Sequence, residues 1–138
     1  MPTDTRAAPV ATLALALASL PALGQPLEGG TFFGVITRPD GTHVAVVKLT
    51  EEAEDIAWQD AMDWAAKLGG QLPSRPIAAM LFAHLKGQLR PRWHWCDETD
   101  EDDASYAWIC VFSDGYQLTD RKSFEGCAVA VRCIPLAA

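Results

Sequence analysis

The chain has 138 residues, an apolar fraction of 49%, five tryptophans and a formal net charge of −7. That length and apolar content suit one domain with a real core. The charge argues against binding a nucleic-acid backbone, which needs clustered Lys and Arg, and against adsorption to an anionic membrane.

In chain order, residues 9–24 come first, PVATLALALASLPALG. They have the apolar character of a secretory signal, with Ala22-Leu23-Gly24 as a cleavage site. Asp4 cancels Arg6, however, and leaves no basic leader region. Leu13, Leu15 and Leu17 alternate with Ala14, Ala16 and Ala18. This period of two predicts a strand with its large residues on one face. Pro9 and Pro21 break the run too early for a bilayer span. The strand is preferred to the signal. The division is therefore an N-terminal extension or strand over residues 1–19 and one domain over residues 20–138. The expected location is the cytoplasm, with secretion as the alternative.

Residues 24–30 are turn-rich. Residues 31–37 and 42–49 are β-rich, and Arg38-Pro39-Asp40-Gly41 between them predicts a hairpin with a bulged turn. Residues 51–55 are expected to be an acidic link that places negative charge before a helix. Trp58, Ala61, Met62, Ala65 and Leu68 then repeat at helical spacing, and Gly69-Gly70 stops the helix. Ser74 caps a second helix, with Pro76 tolerated in its first turn. Ile77, Met80, Leu81, His84 and Leu85 form its inner stripe, and Gly87 and Pro91 end it.

The remainder is β. Trp93 and Trp95 share one strand face and His94 the other. Residues 106–112 are apolar on both faces, as in a central strand buried on both sides. Residues 113–115 are a turn. Residues 128–134 form a closing strand with Val129 and Val131 on one face and Arg132 on the other. The four cysteines are Cys96, Cys110, Cys127 and Cys133. They form no CxxC pair, which argues against structural zinc. Cys127 and Cys133 lie ~20 Å apart along one strand, too far for a mutual disulfide. They read as reduced, buried thiols.

The motifs WQDAMDWAAKLGGQLPSR, WHWCDE, YAWICVFSDGYQ and KSFEGCAVAVRCI occur in that order. The series resembles a bacterial and prophage family related to the C-terminal domain of a collagen-like adhesin, over residues 20–134. The closing VRC also resembles the last strand of formylglycine-generating-enzyme-like domains. The resemblance implies an α+β, C-type-lectin-like fold. That fold has two helices on a twisted antiparallel sheet, adjacent N- and C-terminal strands, and a face of ligand-binding loops. It does not imply an enzyme, because catalytic relatives are larger and carry a cysteine site in inserted loops. The Glu-Pro-Asn, Gln-Pro-Asp and Trp-Asn-Asp triplets of calcium-dependent lectin relatives are missing here.

Six carboxylates crowd residues 97–103: Asp97, Glu98, Asp100, Glu101, Asp102 and Asp103. They lack the glycine turn and alternation of a calcium loop, so a solvated loop without metal is expected. A His94–Cys96 nucleophile pair lacks an orienting third group, and His94 reads as partly exposed on an ordinary strand. Trp108, with Trp93 or Trp95, reads as core. Arg75 and Glu125 with Arg132 read as a clasp between the second helix's start and the last strand.

Tyr116 is the best exposed aromatic, with Asp114, Gln117, Asp120, Arg121 and Lys122 around it. The expected recognition surface joins these residues, in a loop over 113–122, with Asp100, Asp102 and Asp103 in a loop over 97–105. No metal or other cofactor is expected. The leading expectation is a non-enzymatic module that binds a protein or glycan, as a phage virion decoration or receptor-binding component. It would work as a homo-oligomer or with other virion proteins, without nucleic acid or membrane insertion. The alternatives are an assembly protein that exchanges its N-terminal strand and, least favoured, an enzyme of the formylglycine-generating kind.

Overall fold

The computed structural model describes residues 15–137. Its elements are β1 (Pro26–Leu27), β2 (Gly30–Thr37), β3 (His43–Ile56), α1 (Trp58–Lys67), α2 (Arg75–Leu85), β4 (Trp93–Asp100), β5 (Asp103–Val111), β6 (Gln117–Arg121) and β7 (Gly126–Pro135). The seven strands form one sheet in the order β1-β2-β3-β7-β4-β5-β6. This is an α+β architecture. The sheet is mixed rather than wholly antiparallel, because β4 meets β7 in parallel at His94 and Cys127.

Strand alternation divides the core. Phe32, Ala45, Val47, Trp95, Ala107, Ile109, Ala128 and Ala130 face α1, whose Trp58, Ala61 and Ala65 are buried against them. Phe33, Val44, Val46, Cys110, Phe112, Val129 and Val131 face α2 through Ile77, Ala78, Leu81 and Leu85. One helix therefore covers each side of the sheet, and β5 is buried on both faces as its apolar run predicts. Trp93 and Trp95 share the α1 side with their rings edge-on at 5.0 Å. Trp58 Nε1 donates to Cys96 O and Trp95 Nε1 donates to Ile56 O, both at 2.9 Å, so neither buried indole lacks a partner.

The local signals hold where they are local. Gly41 takes φ 87°, Asp40 Oδ1 accepts from Thr42 N and Oγ1, and the β2–β3 hairpin closes on that bulged turn. At the end of α1, Gly70 N donates to Ala65 O and Gly69 N to Ala66 O, the paired bonds of a Schellman stop. Ser74 Oγ accepts from Ile77 N at the start of α2.

Two expectations fail for long-range reasons. Residues 51–55 are not a link: β3 runs through them, paired with β7 across two register shifts. β2 begins opposite Leu49, so among the described residues no strand flanks this acidic stretch on its other side; Glu52 pairs there with Lys48 and Arg90, and Glu54 with Arg90. The N-terminal strand reading also changes. Leu13 lies outside the described residues. Leu15 makes one parallel bridge to Leu136, and Leu17 opens a short 3-10 turn and is exposed. The leucine alternation therefore does not continue as a strand through Leu17, because the chain turns away after one bridge.

Candidate functional site

A groove of about 600 Å³ opens beside the first turn of α2, lined by Arg75, Pro76, Ala79, Glu98, Gly115, Tyr116 and Gln117. α2 brings Arg75 to the edge of β5 and β6. There its guanidinium lies 3.5 Å from the centre of the Trp108 ring. Arg75 Nε donates to Gln117 Oε1 at 3.0 Å, and Gln117 Nε2 donates back to Arg75 O at 2.8 Å. From the other side, Arg75 N donates to Glu98 Oε2 at 2.8 Å. The arginine is held by stacking, by reciprocal amide bonds and by its own backbone.

Tyr116 stands at the rim, 70% exposed. Its turn is rigid for two reasons. Gly115 adopts φ 83°, where a side chain would be strained, and Asp114 Oδ1 accepts from Tyr116 N at 3.0 Å. A second groove of about 320 Å³ shares Pro76 and Glu98 with the first and continues along Ile36, Arg38, Gln71 and Cys133. Asp97, next to Glu98 in β4, is half-buried. Among the described residues its Oδ1 has no hydrogen-bond partner. Burial, helped by the Glu98 charge, holds its carboxyl above the ordinary range.

The predicted site residues do not form one surface. Tyr116 and Gln117 line the groove at the start of β6. Arg121 and Lys122 lie at its far end, where Arg121 packs over Tyr106 at 5.8 Å and Lys122 over Trp58 at 4.2 Å. The two ends are ~13 Å apart along the strand. Asp120 pairs with Ala107, on the α1 side. Residues 113–122 are thus a short turn followed by a strand rather than a loop. Residues 97–105 are not a loop either: Asp100 pairs with Asp103, and the acidic run is the tip of the β4–β5 hairpin. Asp100 Oδ1 accepts from Asp102 N, and Asp103 Oδ1 accepts from Ser105 N and Oγ. Among the described residues no cluster of His, Cys, Asp or Glu is arranged to hold a metal ion.

Three other expectations are corrected. His94 is buried, not partly exposed, and packs on Phe112 with centroids 4.7 Å apart. Its Nδ1 donates to Arg92 O at 2.9 Å, and burial pushes its pKa down to about 4. Burial also holds the Cys96 thiol far above its ordinary value, so the pair supplies no thiolate at neutral pH. The proposed clasp is absent among the described residues. Arg75 turns to β5 and β6 instead, Glu125 is exposed, and Arg132 Nε is buried without a hydrogen-bond partner. Trp108 packs against the α2-side core but is only half-buried, with Arg75 over its ring.

Of the residues expected from the sequence, Tyr116 and Gln117 line this groove; the grouping of Arg75, Glu98 and Trp108 was not foreseen. The one usable signal was Arg75 directly after a helix cap. No helix among the described residues is long and apolar enough to cross a membrane. No protein-family model matches the chain, and no curated protein matches it.

Proposed function

We propose that the chain is a non-enzymatic ligand-binding module of C-type-lectin-like fold, with the groove between α2 and β6 as its recognition site. One observation carries the reading. Arg75 is immobilised by Trp108 and Gln117 beside a solvent-exposed tyrosine, on a scaffold that is otherwise tightly packed. Fixing a long cationic side chain before a ligand arrives lowers the entropy lost on binding. A rigid aromatic adds contact area at little entropic cost. The relationship to collagen-like adhesin domains, and a place on a phage particle as a decoration or receptor-binding component, belong to this same proposal. The test is a glycan and peptide array probed with the wild type and with Tyr116→Ala. Loss of the wild-type signals in the variant supports the groove; an unchanged pattern refutes it.

The second reading, assembly through the N-terminal segment, draws on a different observation. Leu17 is 65% exposed and borders an apolar groove of about 220 Å³ with Val35, His43, Leu136 and Ala137. A stable trimer or larger ring that dissociates in Leu17→Asp supports it. A monomer at all concentrations removes it.

A further inference from the structure

We propose that Arg75 is a receptor for a carboxylate, and that the ligand of this groove is an acidic sugar carrying one carboxylate on a hydroxylated ring. The inference rests on the groove reading above and names its ligand class.

The geometry begins with what Arg75 leaves unused. Nε is committed to Gln117 Oε1, and the backbone N–H to Glu98 Oε2. Among the described residues neither Nη nitrogen has a protein partner, and neither is a buried orphan. Both therefore reach solvent at the groove. A guanidinium presents its remaining N–H donors as a planar fork that fits both oxygens of a carboxylate. Its position is already held over the Trp108 ring, 3.5 Å from the ring centre.

The surroundings choose among anions. The first turn of α2 is not an open phosphate site. Glu98 takes the Arg75 N–H, Pro76 has none, and Ser74 takes that of Ile77. The net charge of −7 and the nearby acidic hairpin repel polyanions. One carboxylate, paired at short range, escapes most of that repulsion.

The rest of the groove fits a sugar ring. Among the described residues Glu98 Oε1 has no hydrogen-bond partner, so it can accept from hydroxyl donors, which a peptide carboxylate terminus lacks in number. Tyr116 offers a flat exposed face for stacking. An open groove of about 600 Å³ admits a short oligosaccharide.

The test is NMR titration of the full chain with glucuronate and galacturonate, with their methyl esters, with glucose, and with a short peptide bearing a free carboxylate. The expected result is millimolar binding of the uronates that shifts the Trp108 indole and Arg75 Nε–H signals. The esters and glucose should bind about tenfold more weakly, the loss of one charge-assisted contact. Arg75→Lys keeps the charge but not the fork and should weaken uronate binding by about tenfold. Unmoved Trp58 and Trp95 indole signals would show that the variant's fold is intact. Gln117→Ala, which frees Nε, should weaken binding less and serves if Arg75→Lys does not fold. Esters or glucose binding as tightly as the acids, with loss in Tyr116→Ala, would overturn the carboxylate while keeping the groove. Binding of the peptide but not the uronates would overturn the sugar. No shift at these signals with any probe would overturn the sugar acid, leaving the groove itself to the array.

Discussion

Arg75 and Gln117, forty-two residues apart, exchange two hydrogen bonds, one from each side chain. The exchange ties the start of α2 to the edge strand β6 and orients the guanidinium over Trp108. Removing the amide loses both bonds. Gln117→Ala should therefore lower stability by about 1–2 kcal/mol, since each net bond contributes ~1 kcal/mol. Urea denaturation measures this, and an unchanged midpoint would show that the exchange is not formed in solution.

The tryptophans should separate into two classes. Trp95→Ala or Trp58→Ala empties a buried site with a satisfied indole and should cost about 3–5 kcal/mol. Trp108→Ala should cost clearly less, because its ring is half-buried and capped by a hydrated arginine. Equal losses for all three would mean that Trp108 is core after all.

Two glycines make a matched pair. A Cβ at Gly70 would stand 2.6 Å from Val131 O and 2.9 Å from Leu49 Cδ1. The carbonyl is fixed by the Gln71–Val131 bridge, so Gly70→Ala should destabilise by about 1–3 kcal/mol. At Gly87 a Cβ meets nothing within 4 Å. Gly87→Ala should be neutral or stabilise by up to ~1 kcal/mol through the unfolded chain. Thermal melts that rank the two the other way would contradict the packing around α1.

His94 should make the fold acid-sensitive. Burial lowers its pKa from 6.5 to about 4, with Glu52, Arg90 and Lys48 as nearby charges. The unfolded chain then binds a proton that the folded chain refuses. Stability is full above pH ~6.5 and falls as the pH drops toward 4, by on the order of 3 kcal/mol. Asp97 works in the opposite direction: its raised carboxyl favours the protonated folded state, so acid restores some stability within its range. His94→Asn places an amide N–H near the position of Nδ1, can still donate to Arg92 O and does not titrate. Its stability between pH 7 and pH 4.5 should fall less steeply than the wild type's. Parallel curves would exclude His94 as the source.

Calcium should not bind the acidic hairpin. Asp100 and Asp103 each commit Oδ1 to their own turn. Calorimetric titration should show no micromolar binding event, and one that disappears in Asp100→Asn would reverse this reading.

The sequence by itself determined the elements whose signals are short-range. The α1 stripe from Trp58 to Leu68, the Gly69-Gly70 stop, the Ser74 cap and the Arg38–Gly41 turn each depend on residues within one or two turns of one another. The apolar run of β5 likewise required burial on both faces. Tyr116 was legible as exposed because a rigid Asp-Gly turn precedes it. Only the tertiary structure decided what depends on strand pairing. Pairing drew the charged residues 51–55 into β3 and made residues 97–103 a hairpin, although their composition suits solvated loops. It placed β4 beside β7 and so buried His94. It also set Gln117 opposite Cys110, which brought its amide within reach of Arg75. Backbone hydrogen bonds between distant strands outweigh local polarity, and register then assigns each side chain its face. The groove beside α2 is a product of register, which no local pattern encodes.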